Sequence, residues 1–204
     1  MTTDVTEPAP LTPTSGEPRR RETRVPGEEG LWVFILGDMM VFALFFGTIV
    51  VTRGQQTEVF RASQHELHAS LGIVNTLLLL TGSLLVVRGM RALRAGTGRA
   101  PLLFAATLVC AVAFASVKTT EYVLLVREGH TASDNDFFMY YFVFTGIHLA
   151  HLVIGAAIMV FLTLVARKPS LKPSQVSFAE CGAVYWHMVD LLWLVLFPLL
   201  YLVR

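Results

Sequence analysis

Glu180–Cys–Gly–Ala–Val–Tyr–Trp–His–Met–Val–Asp–Leu–Leu–Trp193 is the stretch on which the fold turns. From Ala183 to Val203 the chain is long and apolar enough to cross a bilayer. Yet His187 and Asp190 stand near the middle of that run. On a helix of 3.6 residues per turn, Glu180, Ala183, His187 and Asp190 share one face, with Trp186 and Trp193 on a neighbouring stripe. A carboxylate at mid-membrane costs about 2.5–3.5 kcal/mol on insertion. The twelve Leu, Val and Phe residues of the segment return about 0.3–0.6 kcal/mol each, so insertion wins. The polar face must then look into a helical bundle that the rest of the chain supplies.

Composition points the same way. Of 204 residues, 54% are hydrophobic and 15% charged, and the mean hydropathy is +0.59. Five apolar runs reach spanning length, at about 31–51, 69–87, 101–126, 137–165 and 179–203. The fold class is therefore an all-α polytopic membrane protein with five transmembrane helices, leaving no room for a sizeable soluble domain. Residues 1–27 are rich in Thr, Pro, Glu and Arg and read as a disordered tail. Residues 28–204 form the membrane domain. Cys110 and Cys181 show no CxxC or CxxCH spacing, which excludes a zinc knuckle or covalent c-type haem. A net charge of +1 argues against a nucleic-acid partner. Eleven Lys and Arg residues fall in the tail and in the second and fourth loops. Only Arg53, Arg61, Arg127 and Arg204 fall on the other side. The positive-inside rule places the N-terminus in the cytoplasm and the C-terminus outside.

Polar residues inside the runs mark the candidate sites. Asp38 lies six residues beyond Trp32, about 9 Å deeper at 1.5 Å per residue. It reads either as interhelical glue or as a group for proton or ligand chemistry. Asn75, Thr76, Thr81 and Ser83, with Gly72 and Gly82, read as helix-packing residues. Lys118 and Glu121, spaced i,i+3, can neutralise one another. His148 and His151 share a face at i,i+3, open to metal or haem ligation or to buried hydrogen bonding. That spacing suits buried, hydrogen-bonded histidines better, because bis-histidine haem needs ligands on opposite sides of the iron. Running the topology through depth puts Asp38, His151, His187 and Asp190 in the cytoplasmic half, along one polar seam.

These features together resemble subunit III of the haem–copper oxidases, from about Gly30 to Arg204. The motifs are Phe34–Ile–Leu–Gly–Asp–Met–Met–Val–Phe42, Glu121–Tyr122, Gly146–Ile–His–Leu–Ala–His–Leu–Val–Ile–Gly155 and Tyr185–Trp–His–Met–Val–Asp–Leu–Leu–Trp193. The resemblance implies the five-helix form of a family that commonly has seven. It implies an accessory subunit without haem or copper of its own, those cofactors belonging to the catalytic partner. Subunit I, subunit II and bound phospholipid are the implied partners, and a bacterial plasma membrane is the implied setting. Two helices would be separated from the other three by a lipid cleft. Asp38 falls where the family usually has a Glu associated with lipid and with proton uptake. Asp38, Glu180, His187 and Asp190 are thus the candidate proton-uptake or lipid-associated residues. Lys118, Glu121, His148 and His151 are the candidate structural ones. The opening Gly27–Glu–Glu–Gly–Leu–Trp–Val–Phe–Ile–Leu–Gly–Asp38 looks closer to the branch beside nitric oxide reductases, an alternative partner. A third reading, an independent proton-coupled transporter, lacks internal repeats and paired broken helices.

Overall fold

In a computed structural model, residues 29–168 and 171–203 are described. The expected tail, residues 1–27, and Arg204 lie outside them. The elements in order are α1 (Glu29–Gln55), α2 (Thr57–His65), α3 (Ala69–Arg94), α4 (Ala100–Arg127), α5 (Asp136–Val165) and α6 (Pro173–Phe197). A single π-helical turn, Pro198–Leu202, continues α6. All helices but α2 are long and apolar enough to cross a membrane. Their spans of 24 to 30 residues measure about 36–45 Å, so each projects beyond a hydrocarbon core of about 30 Å. The helices are accordingly longer than the apolar runs. α6 begins at Pro173, six residues before its run, because proline suits the first turn. α5 starts under the side chain of Asn135, which accepts from the Phe138 N–H at 3.0 Å. α4 ends at Arg127, and just beyond its cap Gly129, with φ of +91°, lets the His130 N–H return to the Leu125 carbonyl.

Burial follows a three-four spacing rather than a broad apolar face. α3 buries Gly72, Asn75, Leu79, Gly82, Val86 and Gly89, and α4 buries Phe104, Thr107, Ala111, Phe114, Lys118, Glu121 and Leu125. A repeat averaging 3.5 residues keeps a seam facing its neighbour along the whole helix. Lipid is as apolar as the seam, so outward residues such as Leu102 and Val109 are equally greasy and exposed. Glycine brings the seams together. A Cβ on Gly89 would lie 2.7 Å from the Phe104 ring, and one on Gly182 would lie 2.6 Å from Ile158 Cγ2.

The all-α, five-span architecture is as expected, but its division into two helices and three is not. The second span, α3, packs on α4 and α6, with Thr76 bonded to Trp193 and Ser83 to His187. α3 to α6 form a four-helix body. α1 lies against α5 and α6 through one line of fully buried residues, Ile35, Phe42 and Ile49. Only 17% of its most apolar window is buried, against 56% for α6, so α6 is central and α1 peripheral. Apolar length reveals which segments cross but not which of them touch. The short α2, expected as loop, folds because Phe60, Ser63 and Gln64 dock on the body. Gln64 Nε2–H donates to the carbonyls of Leu200 and Val203.

Gly182→Leu should therefore overpack the α5–α6 contact and cost about 1–3 kcal/mol. Gly146 has open space where a methyl group would stand, with nothing within 4 Å, and should accept alanine silently. Thermal unfolding of the purified protein in detergent measures both.

Candidate functional site

Polar side chains gather in three places rather than along one seam. The first joins α1 to α5. His151 Nε2 lies 3.1 Å from Asp38 Oδ1, and His151 Nδ1 lies 2.8 Å from the Ile147 carbonyl. That carbonyl can only accept, which assigns a proton to Nδ1. Nε2 and Oδ1 then need one further proton between them. The pair is either imidazolium and carboxylate or imidazole and carboxylic acid, and is net neutral in both forms. Phe42 packs edge-on against the imidazole, and the Tyr185 hydroxyl donates to the His151 carbonyl at 3.3 Å. The two side chains keep 16% and 14% exposure, so the pair sits at the margin of the bundle. Asp38 Oδ2 has no hydrogen-bond partner among the described residues.

The second place joins α3 to α6. Ser83 Oγ lies 2.7 Å from His187 Nδ1, and Asp190 sits beside both. Ser83 and His187 share one hydrogen bond, whose direction depends on which ring nitrogen carries the proton. Glu180 takes no part. It is bonded to Arg94 at 2.9 Å, with Arg94 more than half exposed. Ten residues of helix put it about 15 Å from Asp190 along the axis. Sharing a face with Asp190 did not bring Glu180 to the same depth.

The third place is a closed cage. Lys118 Nζ donates to Glu121 Oε2 at 3.0 Å and to the hydroxyls of Tyr141 and Tyr201 at 2.9 Å. Tyr201 in turn donates to Glu121 Oε1 at 2.7 Å. All three ammonium protons and both carboxylate oxygens are thus engaged. The rings of Tyr122, Tyr141, Trp193 and Tyr201 surround the ammonium at 4.4 to 5.5 Å. A cavity of about 260 Å³ is lined by Arg61, Gln64, His65 and Tyr201 among others.

His148 departs from expectation. It is buried against Phe114 and Trp193, yet neither ring nitrogen has a hydrogen-bond partner among the described residues. His151, three positions on, turns out of the core toward α1. Among the described residues, no group of three or more His, Cys, Asp or Glu side chains could hold a metal. Ser83, Tyr141, Tyr185 and Tyr201 were not singled out from the sequence as site residues. Their sequence signal is a hydroxyl on an apolar helix, which is too common to be selective.

Residues 26–203 match the family described as cytochrome c oxidase subunit III. The chain belongs to that family. A cytochrome c oxidase subunit 3 from Corynebacterium diphtheriae is 28% identical over 86% of this chain and 87% of its own. A quinol oxidase subunit 3 from Bacillus subtilis is 26% identical over 85% of each chain. A protein from Aeropyrum pernix named heme-copper oxidase subunit I+III is 26% identical over 85% of this chain, which covers 22% of that longer one. Within this subunit III family member, the motif residues of α1, α5 and α6 supply Asp38, His151, His187 and Asp190, while Ser83 comes from α3.

Removing one member of the cage leaves the other charged and buried. Lys118→Met should cost about 3–5 kcal/mol, and Lys118→Met with Glu121→Gln should recover much of that loss. The midpoint of thermal unfolding of both variants measures the difference.

Proposed function

We propose that this chain is the accessory subunit of a haem–copper terminal oxidase, and that Asp38 with His151 supports the partner's proton uptake. The observation that carries the reading is the one-proton pair at 3.1 Å. It sits at the edge of the bundle, where a neighbouring chain or lipid can reach it. The pair stores a proton without net charge, which lowers the cost of a carboxylate at membrane depth. Asp38 Oδ2 is a buried acceptor with no hydrogen-bond partner among the described residues. Catalytic subunit I, which carries the haem and copper, is the direct partner, and subunit II completes the assembly. The fused subunit I+III relative supports the closeness of that association. Phospholipid occupies the margin between α1 and the body, where α1 is held by a single line of side chains. Residues 28–204 act as one membrane unit, with 1–27 as a cytoplasmic tail, in a bacterial plasma membrane. The named relatives are cytochrome c and quinol oxidase subunits, so oxygen reduction is favoured over a nitric oxide reductase partner.

Asp38→Asn keeps size and removes ionisation. In the purified oxidase it should slow proton uptake or shorten catalytic lifetime severalfold while leaving the haem spectrum intact. Asp38→Glu should be mild. Unchanged uptake and lifetime with the subunit still bound would reduce Asp38 to interhelical glue. A reporter fused after Arg204 should be active only on the outer side, as the charge asymmetry requires.

A further inference from the structure

Six buried polar atoms inside the α3–α6 body have no hydrogen-bond partner among the described residues. They are Asn75 Nδ2 and Oδ1, His148 Nδ1 and Nε2, Trp186 Nε1 and Asp190 Oδ1. Asn75, His148 and Trp186 are at most 1% exposed and Asp190 is 6% exposed. Helix register spreads them over two turns, about 10 Å along the bundle, from the Trp193 level to the Trp186 level. Gly72 against Phe197, Thr76 bonded to Trp193 and Ser83 bonded to His187 set α3 antiparallel to α6. Asn75 therefore stands level with Trp193. The His148 ring packs 5.2 Å from Trp193. Trp186 and Asp190 are i,i+4 on α6, so one lies above the other. Unpaired groups are costly at this depth, where no bulk water reaches.

The kind of ligand follows from the atoms. Trp186 offers only a donor and Asp190 Oδ1 an acceptor, while Asn75 offers both. Neutral His148 adds one of each. A cation wants acceptors alone, an anion wants donors alone, and an acyl chain wants neither. Water is both donor and acceptor and is small enough to enter. The register of α4 against α3, set by Gly82 beside Thr107 and Gly89 beside Phe104, brings the short side chains of Ala111 and Ala115 to the Asn75 turn. We propose that the α3–α6 core is a water-binding site held by Asn75, His148, Trp186 and Asp190. At about three hydrogen bonds per buried water, the six atoms call for about two to three molecules. The Lys118 cage closes the site on one side, since its three ammonium protons are already engaged. This hydration is independent of any proton role for Asp38.

Buried side chains beside ordered water are oxidised when hydroxyl radicals are generated in place. The test is X-ray radiolysis of the whole oxidase complex in isotopically labelled water, read by mass spectrometry. Trp186, Trp193 and His148 should take up label despite their burial, while Phe104 and Met159, equally buried, should not. Asn75→Leu, close in volume and without hydrogen-bonding groups, should lower the label on Trp193 and His148 severalfold. The proposal fails if those three residues stay as unlabelled as Phe104 and Met159 in the unsubstituted complex. It also fails if Asn75→Leu leaves their labelling unchanged. Should that variant not assemble, the unsubstituted complex alone decides.

Discussion

A lysine and a carboxylate buried without exposure in a membrane bundle constrain everything around them. Lys118 and Glu121 come from one helix, but their partners do not. Tyr141 belongs to α5, and Tyr201 belongs to the turn after α6. Satisfying this one ion pair therefore fixes how far α5 and α6 slide along α4. The π-helical turn at Pro198–Leu202 is part of that solution, because it carries Tyr201 into the cage. In lipid the hydrophobic effect does not draw helices together, so close glycine packing and completed polar cages supply the order instead.

The other two polar groups are looser, and their position explains it. Ser83, His187 and Asp190 tie α3 to α6 inside the body. Asp38 and His151 tie the outlying α1 to α5. The cage has its ammonium and carboxylate fully engaged and suits a structural role. The Asp38–His151 pair retains partial exposure and one buried oxygen without a partner among the described residues. Partial exposure is thus placed at the margin and rigidity at the centre of the same bundle.

The spans were legible because twenty apolar residues have few other readings. The carboxylates were legible because they are rare inside such runs. Lys118 and Glu121 were legible as a pair because three residues of helix bring them together without further knowledge. Asp38 with His151 was not, since 113 residues separate them and their meeting depends on how α1 lies against α5. The same gap explains the expected split of two helices from three, which the seam of α3 on α4 and α6 overturns. Helical wheels give an angle but not a depth, which is why Glu180 was grouped with Asp190. They also blur neighbouring angles. A step of three residues turns a side chain by about 60° from its starting direction, enough to send His148 into the core and His151 out of it.

The distance between Asp38 and His151 along the chain has a consequence for biogenesis. Synthesis proceeds at about 5–20 residues per second, so the 113 residues between them take on the order of ten seconds to emerge. During that interval the nascent α1 holds its carboxyl group in the membrane with no imidazole to share a proton. Its apolar window, with a mean hydropathy of 2.3, carries the first insertion by itself. Only when the fourth span arrives is the first one clasped to the bundle. Docking of α1 is therefore a late step of assembly, although α1 precedes the other described spans.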